Sequence, residues 1–274
     1  MSVLDPNDAD PRVIDLNADL GEGTGADAAL LDIALLRLVT SANVACGGHA
    51  GDRDSMRAVC TRAAEYGVAI GAQVSYVDPE GFGRRALDVR PSVLVEQLLE
   101  QICALDEIAH ECGSRVNYVK PHGALYNAAA DDDELAAVVT SATHRARHPG
   151  SARLALLGLA GSRLESSARA QGLEFVPEAF ADRAYTRKGR LVPRHIAGSV
   201  HHDADVVTTQ ALHLSVHGRV TSVDGGVIPI AARSLCVHGD TPGALEMLAQ
   251  VRDALWMNGL TLSSFAPPPR RTTP

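Results

Sequence analysis

Short apolar blocks alternate along this chain with longer amphipathic stretches. The blocks fall at about 12–17, 39–45, 68–73, 117–121, 153–158, 174–178 and 234–238, each bounded by Gly, Pro or polar residues. That is the pattern of strands buried on both faces of a parallel sheet. Between them, the stretch from Ser92 to about Cys112 predicts a helix. Leu94, Val95, Leu98, Leu99, Ile102, Leu105 and Ile108 share one face, Ser92 can cap its start and Gly113 can close its end. Thr241-Pro242 predicts a second helix start, with Leu245, Leu248, Val251 and Leu255 as its stripe. Further helices are expected near 53–66, 132–146, 162–171 and 203–217, the last with Asp203 as cap. The segment TSVDGGVIPIA predicts a hairpin turning at Asp224-Gly225-Gly226.

Strands that alternate with helices imply parallel pairing through right-handed crossovers. An open sheet strings its strand ends along an edge, whereas a closed barrel brings them to one point. Polar residues recur here at the ends of successive strands, from the first to the last. The expected fold is therefore α/β, an irregular (β/α)7 barrel occupying residues 12–265 as one domain. The flanking segments 1–11 and 266–274 are rich in turn formers and are expected to be disordered tails.

The bulk numbers narrow the partners. The 274 residues carry 25 basic and 33 acidic side chains, a formal charge of −8, with no basic stripe. Nucleic acid, which needs clustered Lys and Arg, is not an expected partner. The polar start cannot act as a signal peptide, and no apolar run reaches the roughly 18 residues of a membrane span. Five scattered cysteines without a CxxC suit a reducing cytoplasm better than a disulfide framework or structural zinc site.

The first strand carries Asp15, Asn17 and Asp19 on one face and Leu16, Ala18 and Leu20 on the other. Three polar groups on the inner face of a buried strand need partners, which points to metal binding or proton handling; a solvated strand exit is the plainer alternative. The second strand, with Asn43, leads through Cys46-Gly47-Gly48 to His49, presented at the rim by a tight turn. Cys46 is expected as a buried filler. The fourth strand gives Val119-Lys120-Pro121-His122, then Tyr126. Lys120 and His122 point the same way, about 6.6 Å apart, and a lysine inside a barrel is costly unless it serves an anion or a reaction. The sixth strand ends at Glu178. It is followed by Asp182 and Arg183 in a charged loop that reads as a flexible surface segment or, beside a barrel mouth, as a lid. The last strand places Cys236, His238 and Asp240 on one face. Arg84 and Arg85 could clamp a carboxylate or pair with acidic neighbours. GxxxxGK[ST], GxSxG and HExxH are absent, so water is a better candidate nucleophile than an enzyme serine.

Taken in order, IDLNADLGEG, SANVACGGHAGD, GFGRR, VKPHGALYN, EAFADRAY and CVHGD resemble the LamB/YcsF family from about Ile14 to Leu260. The resemblance implies a barrel of the glycoside hydrolase/deacetylase type. It also implies ATP-dependent hydrolysis of 5-oxo-L-proline to L-glutamate, with ATP accompanied by Mg and with partner subunits B and C. One position departs from the family pattern, which often has His-Pro where this chain has Gln73-Val74; Gln73 supplies only a neutral amide and is not counted as a base.

On that footing, Lys120 with Arg84 or Arg85 would stabilise developing negative charge. A carboxylate among Asp15, Asp19 and Glu178 would activate water, and His49, His122 or His238 would carry protons. Asn17, Asn43, Tyr126, Asp182, Arg183 and Asp240 would bind substrate. Two other readings stay open. One is a stand-alone amide hydrolase or deacetylase with a divalent metal on Asp15, His49, His122 or His238. The other is a non-catalytic component that binds substrate. Assembly as a homo-oligomer is compatible with all three.

Overall fold

The computed structural model describes residues 12–146, 153–239 and 243–266. The tail 1–11, nearly all of the second tail, Asp240 and the Thr241-Pro242 helix start lie outside the described residues. In chain order the elements are β1 (Val13–Leu20), α1 (Ala26–Leu36), β2 (Ser41–Ala45), α2 (Arg53–Tyr66), β3 (Ala69–Val74), α3 (Pro91–Glu111), β4 (Val116–Pro121), α4 (Gly123–Ala129), α5 (Asp133–Arg145) and β5 (Ala155–Leu159). They continue with α6 (Arg163–Ala170), β6 (Phe175–Phe180), α7 (Ala204–His217), β7 (Arg219–Thr221), β8 (Val227–Pro229), β9 (Ser234–Cys236), α8 (Ala244–Met257) and β10 (Thr261–Leu262).

Strands β1 to β6 pair in sequence order, β6 pairs with β9, and β9 returns to β1. Every one of these ladders is parallel. The result is a closed seven-stranded barrel, so all strand C-termini open at one mouth. β10 adds to the base of β1, and β7 and β8 form the expected antiparallel hairpin.

Strand alternation divides the side chains cleanly. Leu16, Ala18, Val44, Ile70, Ala72, Val119, Leu156 and Leu235 belong to the main apolar core. The alternate positions face the barrel axis. Near its base they form a small separate cluster of Ala69, Tyr118, Ala155, Leu157, Val176 and Ala266, with Phe265 edge-on to Tyr118 at 5.0 Å. Gly71 is required here, because a Cβ at that position would sit 2.1 Å from the Tyr118 ring. Above this plug the axis is polar.

Local signals explain most helix ends. Asp52 and Ser55 make a reciprocal capping box on α2, and Gly67 (φ 71°) ends it in the left-handed region. Asp203 caps α7 as expected. α3 differs from its prediction, since Pro91 occupies its first turn and the cap position is Arg90, leaving Ser92 inside the helix without a capping role. On α8 the stripe includes Met247, while Leu245 stays exposed. Two helices carry no clear periodic signal. α1 buries only Leu35 and Leu36, and α4 is a seven-residue helix directly behind His122.

Candidate active site

The polar axis is built around Lys120, which is 2 % exposed. Its Nζ lies 2.8 Å from Glu178 Oε1 and 3.2 Å from Asp19 Oδ1. It also donates to Asn17 Oδ1 at 3.2 Å and approaches Cys236 Sγ at 3.4 Å. Asn17 Nδ2 donates to Glu178 Oε1 at 3.0 Å, and Asn43 Nδ2 donates to both Asn17 Oδ1 and Asp19 Oδ1. Tyr118 donates to Asn43 Oδ1 at 2.7 Å, and Tyr126 to Glu178 Oε2 at 2.9 Å. Side chains from five strands and one helix thus form a single network around one ammonium. Burial alone would neutralise Lys120, but the Asp19 and Glu178 carboxylates outweigh it and hold its pKa well above the lysine range. Burial likewise opposes ionisation of Asp19, and the Lys120 ammonium above all holds its carboxyl well below the usual range.

On one side of this floor stands His238. Its Nδ1 is 2.8 Å from Asp182 Oδ2, which also accepts the His238 backbone N–H. Asp182 resists the effect of burial and stays low in pKa, chiefly through His238. A carboxylate on Nδ1 fixes the proton there and leaves Nε2 as an acceptor. The His238 ring stacks on Phe180 at 5.2 Å.

On the other side the rings of His49 and His122 stack, 3.8 Å apart and 6° from parallel. Glu22 Oε1 lies 3.2 Å from His49 Nε2 and 3.5 Å from His122 Nδ1. Gln73 Nε2 is 2.9 Å from Glu22 Oε1 and from His122 Nδ1. Burial, with His49 alongside, pushes the His122 pKa well below 6.5, so the ring is neutral. The GFGRR loop closes over this pair. Phe82 holds a left-handed backbone (φ 53°), a strained state for a bulky residue. That geometry aims its carbonyl at His122 Nε2 and sets its ring edge-on to both imidazoles.

A cavity of about 760 Å³ opens above the floor, with Asp19, Lys120, His122, Tyr126, His238, Arg84 and Arg183 in its walls. Glu178, Asn17 and Asn43 lie immediately beneath. The sequence expectation that distant polar residues meet at one mouth therefore holds for these ten. Four others are placed differently. Asp15 is sealed below the network, bonded to the hydroxyls of Thr40, Ser41 and Ser234, and burial pushes its pKa up to about 6; it belongs to the barrel interior and not to the mouth. Arg85 is taken by Asp78 outside the cavity, which settles the choice between clamp and surface pair for that residue. His49 stands behind His122, with its Nδ1 on Ser75. Asp182 backs His238 and does not line the cavity. Asp240 is outside the described residues.

The 181–203 loop is not a loose surface segment. Tyr185 is fully buried and accepts the Phe180 N–H, Arg183 donates to the Ser199 and Val192 carbonyls, and Gln210 donates to the Ala181 and Arg183 carbonyls of the loop and to that of Phe180 at the end of β6. It forms a fixed wall of the cavity through Leu191, Pro193 and His195.

Sequence reasoning missed Glu22 and Tyr118. Glu22 ends the motif begun by Asp19, but it lies past the strand where alternation no longer predicts direction. Tyr118 sits two residues before Lys120 and so shares its inward face, a signal that an apolar reading of the strand obscured.

Comparison with known proteins places this geometry. A profile of the LamB/YcsF family matches residues 14–269. The chain is 55% identical over 254 residues to the 5-oxoprolinase A subunit of Streptomyces coelicolor, covering 93% of this chain and 100% of the relative. It is 54% identical over 255 residues to the protein of the same name from Streptomyces griseus, again covering 93% and 100%. Its fold matches the crystal structure of a lactam utilization protein from Thermus thermophilus with a TM-score of 0.83 at 40% identity, covering 92% and 99% of the two chains.

Proposed function

This chain belongs to the LamB/YcsF family, and from that premise we propose that it is the barrel component of an ATP-dependent 5-oxoprolinase, working with two partner subunits, B and C. The observation that carries the reading is Lys120, a buried ammonium that anchors Asp19 and Glu178 beneath an open cavity. The near full-length likeness to proteins named as the 5-oxoprolinase A subunit supplies the substrate, a five-membered lactam bearing a carboxylate.

Ring opening breaks the lactam C–N bond, forms a C–O bond to water, and gives the ring nitrogen a proton as it leaves. Amide resonance opposes this, and coupling to ATP removes the obstacle: transfer of the γ-phosphoryl group to the amide oxygen releases ADP and makes the carbon electrophilic. One water adds as the C–N bond breaks to leave an acyl phosphate, and a second water releases phosphate. 5-Oxoproline, ATP and two waters thus give glutamate, ADP and phosphate. The chain's own residues then have definite tasks. Lys120 stabilises negative charge developing at the carbonyl. His238, oriented by Asp182, takes a proton from water at Nε2 and delivers it to the ring nitrogen. Arg84, at the cavity wall, meets the substrate carboxylate. Asp19, held ionised, fixes the water by accepting its hydrogen bond. No Walker-type cradle occurs in the sequence, so Mg-ATP is assigned to the assembly and not to a motif of this chain. Beside the mouth, behind His122, lie His49 and Glu22, which with His122 are donor groups of the type divalent ions use.

The assembly is placed in the cytoplasm, in keeping with five free cysteines, three of them buried. Among the described residues no helix is long and apolar enough to cross a membrane. The test is glutamate release from 5-oxoproline by the chain with its partners, with and without ATP. Activity is expected only in the complete mixture, and Lys120→Ala and His238→Ala are expected to abolish it. Full activity in either variant would overturn the reading.

A further inference from the structure

We propose that Phe82 is a positioning residue for Arg84: its ring, held against the stacked His49 and His122, carries the Arg84 guanidinium over the mouth, where Arg84 takes the carboxylate of the lactam. Among the described residues Phe82 (φ 53°) is the only non-glycine with a left-handed backbone. Gly81 and Gly83 flank it, and a third glycine would adopt that conformation without penalty. A bulky aromatic residue kept in a strained state beside a binding cavity points to a use for its ring.

That ring rests on a rigid support. It stands at 78° to both imidazoles, 5.3 Å from His49 and 5.7 Å from His122. The imidazoles stack on each other at 3.8 Å, and every ring nitrogen of the pair is engaged. His49 Nδ1 lies 3.0 Å from Ser75 Oγ, and its Nε2 lies 3.2 Å from Glu22 Oε1. His122 Nδ1 lies 2.9 Å from Gln73 Nε2, and its Nε2 lies 3.2 Å from the Phe82 carbonyl. With no ring nitrogen left over for a ligand, the pair acts as the bed on which the loop is set.

The backbone beneath Arg84 is fixed too. Asp78 accepts the Gly81 N–H and pairs with Arg85. The Asp78 carbonyl accepts the Gly83 N–H at 3.0 Å, and the Gly83 carbonyl accepts the Ala124 N–H at 2.9 Å. A Cβ on Gly123 would lie 2.3 Å from that Gly83 oxygen, so the loop and α4 are keyed together. What backbone cannot fix is a long, exposed side chain with many rotamers. Arg84 is such a side chain, exposed and in the cavity wall, and its Cζ lies 4.8 Å from the centre of the Phe82 ring, over its face. The cation–π contact selects the rotamers that stand at the mouth. A guanidinium already held there has less freedom to lose when it takes a carboxylate. The carboxylate as ligand rests on the 5-oxoprolinase reading; the placement of Arg84 does not.

Glutamate release by the complete assembly is measured for the native chain, Phe82→Leu, Phe82→Tyr, Arg84→Ala and the double variant Phe82→Leu, Arg84→Ala. Phe82→Leu is expected to raise KM for 5-oxoproline about two- to fivefold with kcat within about twofold of native. Phe82→Tyr should keep the native KM, and Phe82→Leu should add nothing once Arg84 is alanine. A merely structural defect would lower kcat and add to the loss caused by Arg84→Ala. Additive losses, or a native KM in Phe82→Leu, overturn the proposal. A second measurement needs neither partners nor substrate. In the full chain labelled with ¹³C-arginine, the Arg84 Cδ–Hδ signal, identified by its absence from Arg84→Ala, is expected upfield of the other exposed arginines and unshifted in Phe82→Leu. An unshifted Arg84 signal in the native chain overturns the proposal whatever the activity, and it decides the matter if Phe82→Leu does not fold. A native assembly that releases no glutamate while its Arg84 signal lies upfield overturns the lactam reading and supports the placement of Arg84 by Phe82.

Discussion

Replacing Lys120 by methionine tests whether one ammonium organises the barrel's interior. Its Nζ lies 2.8 Å from Glu178 Oε1 and 3.2 Å from Asp19 Oδ1. At an effective dielectric of about 20 these contacts amount to roughly 6 and 5 kcal/mol of gross attraction. Taking three charges out of water costs several kcal/mol for each, so the intact network contributes little net stability. Breaking it is another matter. Methionine fills much of the volume but strands two buried carboxylates, a loss of about 3–5 kcal/mol, against the roughly 5–15 kcal/mol that a folded domain has to lose. The stranded carboxyls would rise in pKa. A carboxyl whose folded pKa exceeds its unfolded one holds its proton longer in the folded state, so stability falls as pH rises through that range. The deficit of Lys120→Met should therefore be largest near pH 7.5 and shrink toward pH 5. Urea unfolding followed by circular dichroism measures it. The triple variant Lys120→Met, Asp19→Asn, Glu178→Gln should recover most of the stability and none of the activity in the reconstituted assembly. A single variant as stable as the native chain at pH 7.5, or a triple variant that recovers nothing, would refute the account of Lys120 as counter-ion.

Three further outcomes are expected. Asp182→Asn should lower kcat about 100-fold or more, because the amide no longer enforces the His238 tautomer; the acidic limb of the pH–rate profile should move, which a merely structural defect would not cause. For Asp15, a folded pKa of about 6 against an ordinary 3.8 means stability is highest with the proton held and declines as pH rises through 6. That group alone makes the chain roughly 1.4 kcal/mol less stable at pH 7.5 than at pH 5, and Asp15→Asn should flatten the difference in urea midpoints. Gly71→Ala should destabilise by about 1–3 kcal/mol through overpacking, since its Cβ would meet the Tyr118 ring, while Arg85→Ala, which removes only an outer pair with Asp78, should leave glutamate formation within about twofold of native.

The barrel was legible because a doubly buried strand has no polar alternative outside it. Each of the seven blocks lacks a solvated face, so its limits stand out against Gly and Pro, and all seven occur within a few residues of their expected positions. Alternation then aimed the inner residues correctly. Asp19, Lys120, Glu178 and His238 come from distant parts of the chain, yet their inward parity was readable from each strand alone. α1 escaped because its apolar residues are not confined to one face: Leu30 is 65% exposed while Leu35 and Leu36 are buried.

What parity cannot give is depth. Asp15, Asn17 and Asp19 share one face, but each step of two residues rises about 6.6 Å along the strand. Asp19 reaches the mouth, Asn17 the network beneath it, and Asp15 a layer of hydroxyls. Strand tilt and register set that depth, and the register of β1 against β2 and β9 is a property of the assembled ring. The same reasoning separates the two arginines and locates Glu22. Beyond a strand end, direction is fixed by loop backbone, such as the left-handed Phe82 that turns GFGRR over His122. A loop residue at the mouth's edge is therefore found by its neighbours: Glu22 Oε1 meets His49 Nε2, His122 Nδ1 and Gln73 Nε2, contacts that no spacing in the sequence announces.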